Sequence, residues 1–116
     1  MTSSNAAAHL SVELLVVPDC PHEAAARVMI ETVLNDLEVP ARISTTIVDT
    51  DDQARDLQFV GSPTFLINGQ DPFADAEAAV GLACRMYRTP DGMDGVPPLS
   101  SLREAIGSAA ERGASC

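Results

Sequence analysis

Val12-Glu13-Leu14-Leu15-Val16-Val17-Pro18-Asp19-Cys20-Pro21-His22-Glu23 is the stretch on which the reading of this chain turns. Its first half is a continuous apolar, β-branched run bounded by Pro18-Asp19, the pattern of a buried strand. Its second half opens a helical period, with Ala26, Ile30, Val33 and Leu37 on one face and Glu31, Asn35 and Glu38 off it. Cys20 is therefore expected at a strand-to-helix turn, with Pro21 at the first helical position, where its missing N–H costs nothing. A thiol so placed faces unpaired backbone N–H groups and the positive end of a helix dipole, and both favour thiolate over thiol. The alternative is a small buried hydrophobe, since free cysteine is among the most buried residue types.

Beyond Pro40 the chain reads as a second strand over Arg42 to Val48, rich in Thr and Ile, and then a short helix to about Gln58 capped by Asp51 or Asp52. A third strand, Thr64 to Ile67, follows Phe59-Val60-Gly61-Ser62-Pro63 and ends in the turn signal Asn68-Gly69. Residues 70–82 form an insertion with an Ala-rich piece able to make a helical turn or two. The best fourth strand is Ala83 to Tyr87, followed by a turn-rich loop over Asp91 to Pro98. Ser101 with Glu104 reads as a capping box for a last helix from Leu102 to about Glu111, closed by Gly113. Residues 1–11 and 113–116 read as tails around a single domain over 12–112.

This order resembles the thioredoxin-fold superfamily over roughly Val12 to Gly69. There a strand leads to an active-site cysteine at a helix start, a second strand ends in a Val-Asp-like step (here Val48-Asp49), and a proline precedes the third strand. The resemblance implies an α/β fold with a mixed four-stranded sheet, helices on both faces and an insertion before the last strand. It also implies that Cys20 is the nucleophile and that the Ser62-Pro63 bond is cis, with its loop against the sulfur. The backbone at Gly61 and Ser62 would then offer hydrogen bonds to a bound thiol-containing peptide or small molecule. Pro21-His22 is similar to the C-P-H-C motif of strongly oxidising members, but Glu23 stands in the fourth position, so the closer likeness is to one-cysteine variants. His22, when protonated, would stabilise a thiolate, or would simply sit exposed in the first turn. Glu23, third in the helix, would cap it by reaching back to the Cys20 N–H, while its charge and that of Asp19 oppose the thiolate.

Cys84 falls at the start of the returning strand in that topology. It would lie at the far end of the sheet, on the order of 10–15 Å from Cys20 at ~3.3 Å per strand residue. A disulfide requires Cα atoms within about 7 Å, so Cys84 is not expected to resolve Cys20, unless the 70–82 insertion carries the chain back to the active-site end, in which case Cys84 is the possible second thiol. Cys116, the last residue, is most simply a bystander. Arg85 and Arg88 would either bind an anionic group or decorate a solvated strand face.

The totals bound the partners. The 116 residues carry a net charge of −10, and all seven basic side chains are arginine. Such a chain repels nucleic-acid phosphates and anionic membranes. It shows no apolar run of about 18 residues and no basic-then-apolar start, so a cytoplasmic protein with no membrane partner is expected. No C-x-x-C or His-rich spacing marks a metal site, and no cofactor is implied. The leading expectation is a thiol–disulfide oxidoreductase acting through a mixed disulfide, with a small-molecule thiol or thiol-containing protein as partner. Two further readings stand beside it. Cys20, Cys84 and Asp19 are the ingredients with which organomercurial (alkylmercury) lyases cleave carbon–mercury bonds. A non-catalytic thioredoxin-like binding module would keep the fold without the chemistry.

Overall fold

A computed structural model describes residues 10–74, 80–83 and 85–114. Strand β1 (Ser11–Val16) lies at the centre of a three-stranded sheet between β2 (Arg42–Ile47) and β3 (Thr64–Ile67). β1 pairs with β2 in parallel, Val12 opposite Ile43 and Val16 opposite Ile47, and with β3 antiparallel, Leu14 opposite Phe65. Helix α1 (Glu23–Leu37) carries the parallel β1-to-β2 crossover, α2 (Asp51–Leu57) follows β2, and α3 (Leu99–Ala114) closes the described chain. The expected strands 12–17, 42–48 and 64–67 are thus present within a residue.

The alternation of β1 divides the core in two. Val12, Leu14 and Val16 face α1 and α3, packing with Ala26, Ile30, Val33, Leu102 and Ile106. Leu15 points the other way and packs with Val48, Ala54 of α2 and Phe59. Helices therefore cover both faces of the sheet, two on one side and the short α2 on the other. No helix among the described residues is long and apolar enough to cross a membrane.

Four expectations change in detail. The cap of α2 is Thr50: its side chain accepts the Gln53 N–H at 3.1 Å while Gln53 Oε1 accepts the Thr50 N–H at 3.1 Å, a reciprocal capping box that leaves Asp51 and Asp52 inside the helix. α3 starts at Leu99, because the Pro98 carbonyl already accepts the Leu102 N–H at 3.2 Å, and it runs through Gly113 rather than ending there. The expected loop after Asp91 contains a strand: β4 (Tyr87–Thr89) and β5 (Gly92–Asp94) form a separate antiparallel hairpin across Pro90-Asp91. The helical piece expected in the 70–82 insertion falls largely at 75–79, outside the described residues, as do residues 1–9 of the N-terminal tail.

The fourth difference concerns the sheet, which has three strands among the described residues. The chain expected to form the fourth is engaged elsewhere. The Gly81 N–H donates to Phe59 O at 3.0 Å, the Ser62 N–H to Ala83 O at 2.9 Å, and the Arg85 N–H to Ser62 O at 2.9 Å. The backbones of Gly81, Ala83 and Arg85 are therefore bonded to the loop before β3 instead of to β3 itself. Gly61 makes that approach possible: its φ is +139°, and a Cβ there would lie 2.8 Å from Arg85 Cβ.

Gly61→Ala is accordingly predicted to destabilise the fold by about 1–3 kcal/mol, the range for a strained backbone residue. Gly81→Ala, with nothing within 4 Å of the added methyl, should be near neutral. Urea unfolding of both variants checks this; equal stabilities would mean that the 61–85 approach is not close in solution.

Candidate functional site

β1 hands the chain to Cys20 through a turn in which Asp19 takes a positive φ of 59°. Cys20 is 8% exposed and belongs to the main core cluster. The first helical residue is Glu23 and the N-cap is His22, so Pro21 precedes the cap instead of opening the helix. The cause is local. The Cys20 carbonyl accepts the Glu23 N–H at 3.3 Å in an i-to-i+3 turn, and the first α-type bond runs from the Ala26 N–H to His22 O at 3.0 Å. Glu23 is thus first in the helix rather than third, and among the described residues no hydrogen bond joins its side chain to Cys20.

His22 is partly buried rather than exposed in the first turn. Its imidazole lies flat against the backbone of Gly95, where a Cβ would come within 2.3 Å of Nε2. The loop after β5 therefore closes over the Cys20–His22 turn, and only glycine at 95 leaves room for it.

The second half of the site is the loop before β3. The Ser62-Pro63 peptide is cis and both residues are buried. The Val17 N–H, one residue past β1, donates to Ser62 Oγ at 3.1 Å. That bond ties the Pro63 loop to the end of β1 from which Cys20 follows three residues later, so the two expected halves of the site lie at the same end of the sheet. The Ser62 backbone, expected to be offered to a bound ligand, already has partners within the chain at Ala83 and Arg85.

Arg85 does not decorate a solvated strand face. It is 7% exposed, and its guanidinium bonds Asp71 Oδ2 at 2.8 Å, the Phe73 carbonyl at 2.6 Å and Thr64 Oγ1 at 3.3 Å, while stacking 4.7 Å over the Tyr87 ring. Thr64 Oγ1 in turn donates to Gly61 O at 2.6 Å. Tyr87 donates its hydroxyl to the Pro63 carbonyl, and its ring meets Phe73 edge to face at 5.4 Å. Burial pushes the Tyr87 phenol well above its ordinary range, against the opposing pull of Arg85.

Cys84 and Cys116 lie outside the described residues. The expectation for Cys84 therefore falls outside the described residues; of the described chain on either side, Ala83 O accepts the Ser62 N–H and the Arg85 N–H donates to Ser62 O. The sequence reading missed this arrangement: the three backbone bonds and the Arg85 anchors join residues far apart in the chain, and the one local signal was the Gly61 before Ser62-Pro63. Asp19 is exposed on the turn. Among the described residues no group of three or more His, Cys, Asp or Glu side chains is placed to hold a metal ion. The chain matches no protein-family model and no curated protein.

Two outcomes are predicted. Asp71→Asn removes the charge that compensates a buried guanidinium, a loss of about 3–5 kcal/mol where a buried pair is broken. Exchange of the Ser62 and Arg85 amides should then accelerate more than that of Val48, whose N–H bonds Val16 O at 2.7 Å in the sheet. Uniform acceleration at all three would show that Asp71 holds no local structure. The raised Tyr87 pKa means that the native state keeps a proton the unfolded chain releases near its ordinary pKa of about 10. The stability this contributes is complete below pH 10 and is lost as pH rises above it. Tyr87→Phe should flatten that alkaline limb of a stability-against-pH curve. An unchanged limb would remove Tyr87 as its source.

Proposed function

We propose that this chain is a one-cysteine thiol–disulfide exchange protein built on a thioredoxin-like fold, with Cys20 as nucleophile. The observation that carries the reading is the Val17 N–H to Ser62 Oγ bond, which fastens the cis Pro63 loop to the strand end that presents Cys20. A central strand with a parallel and an antiparallel neighbour, and helices on both faces, is the framework such a protein needs. In this reading the segment that would form the fourth strand is diverted onto the Ser62 loop.

The chemistry balances as two exchanges. The Cys20 thiolate attacks one sulfur of a disulfide RS–SR, forming Cys20–S–SR and releasing RS⁻. A second thiolate R′S⁻ then attacks the R sulfur of the mixed disulfide, forming RS–SR′ and returning Cys20 as thiolate. With Glu23 in place of a second motif cysteine, R′S⁻ comes from a small-molecule thiol or a thiol-containing protein. The partly buried imidazole of His22 is available, when protonated, as the positive partner of the thiolate.

A second reading, a binding module without catalysis, is favoured by the burial of Cys20 and by the internal pairing of the Ser62 backbone. One experiment separates the two. A variant with serine at 84 and 116 is incubated near neutral pH with glutathione disulfide, and the adduct is followed by intact mass. The exchange reading predicts a single glutathionyl group on the Cys20 peptide, formed faster than global unfolding and removed by added thiol. Adduct formation only at the unfolding rate would overturn it in favour of the binding module.

A further inference from the structure

Between the hairpin, the start of α3 and the chain around Phe73 lies a cavity of about 410 Å³, within the ordinary range for small-molecule sites. Cys20, His22, Ser62 and Pro63 do not line it, so it is distinct from the thiol site. We propose that it binds a small organic anion: one carboxylate on an apolar, flat body.

Charge is the first argument. In a chain of net charge −10 with seven arginines, two of the seven, Arg85 and Arg88, line this one cavity, and among the described residues no carboxylate does. Arg85 has its charge compensated from behind by Asp71, which is not among the lining residues, and serves as a fixed, polar wall. The uncompensated charge is Arg88, which is exposed and makes no ion pair among the described residues. Pro97, Pro98 and Ser101 bring the start of α3 to the same cavity, and the first turn of that helix has no acidic side chain to offset its positive end. Both contributions have one sign.

The walls are the second argument. Phe73 and Tyr87, locked edge to face, give a rigid aromatic surface. Met86 and Met93 flank it and are 54% and 56% exposed, two flexible thioethers with no core to fill. Methionine adapts its shape to an apolar ligand and makes favourable sulfur–aromatic contacts. A bare inorganic anion would leave these walls wet, and a polyanion would meet the repulsion of the whole chain. A single carboxylate with an aromatic or branched apolar body satisfies both halves of the lining.

Benzoate and its neutral isostere benzamide are the probes. With methyl-labelled methionine, benzoate should shift the Met86 and Met93 signals saturably while Met29, packed against the core, stays fixed. Benzamide should bind about tenfold or more weakly, given the strength of charge-assisted over neutral hydrogen bonds. Arg88→Gln, a surface change that leaves the core intact, should weaken benzoate to the level of benzamide and leave benzamide unchanged. Equal affinity for the two probes, absence of saturable benzoate binding, or an Arg88→Gln variant that still prefers benzoate would each overturn the proposal. The glutathione adduct on Cys20 involves none of these residues, so failure here and failure of the thiol assignment are read separately.

Discussion

A guanidinium taken out of water must find a countercharge and acceptors for its N–H groups, and the burial of Arg85 organises one end of this molecule. Asp71 supplies the charge, the Phe73 carbonyl and Thr64 hydroxyl supply acceptors, and the Tyr87 ring supplies a face. The four partners come from three segments: β3, the chain just after it, and β4. None of these segments pairs with another along a regular strand edge. Arg85 is what joins them, and its backbone N–H reaches on to Ser62 O. A lysine could not substitute, because a single ammonium cannot span acceptors on several sides of a planar fork while stacking on a ring.

The aromatic residues follow the same constraint. The chain has only three Phe and one Tyr. Phe65, Phe73 and Tyr87 form one edge-to-face cluster with centroids 5.4 to 6.2 Å apart. The rest of the helix-facing core around Phe65 and Tyr87 is built from aliphatic side chains, as the composition requires. Phe73 and Tyr87 pack where the chain after β3 and the start of the hairpin are held without pairing to the main sheet. Tyr87 adds a direct tie to the Pro63 carbonyl, so the Arg85 assembly and the candidate site share a wall.

The elements with a strong local signal were legible in the sequence. Continuous apolar runs located β1 and β3, the helical stripe located α1, and Ser62-Pro63 marked the loop bonded to the chain just past β1. Where two local signals competed, the reading took the wrong one. Thr50-x-x-Gln53 outcompeted the aspartates as a cap because it satisfies backbone donors in both directions. Pro97-Pro98 started α3 a turn early, because proline presets the helical φ without needing a donor partner. Asp91-Gly92 was a hairpin signal hidden in a loop. The pairing of Gly81, Ala83 and Arg85 with the loop before β3 had Gly61 as its one local signal: it depends on the missing Cβ there and on charges brought together only by folding.

Access to Cys20 follows from the relative strength of the contacts around it. On one side the Ser62 loop is held by three backbone bonds of 2.9 to 3.0 Å to residues 81–85, by the Val17 N–H bond, and by the buried Arg85 assembly behind them. On the other side, among the described residues, the 18–22 turn is held by two bonds into the start of α1, from the Glu23 N–H to Cys20 O at 3.3 Å and from the Ala26 N–H to His22 O at 3.0 Å, and Pro18, Asp19 and Pro21 are exposed. Prolines at 18 and 21 remove two donors from that turn, and His22 rests against Gly95 with no side-chain hydrogen bond among the described residues. Local opening takes the path with the fewest bonds to break. Of the two sides, the 18–22 turn is the more weakly held, so local opening that exposes the buried Cys20 is expected there sooner than at the Pro63 loop. If Cys20 reacts as proposed, that opening sets an upper limit on its rate.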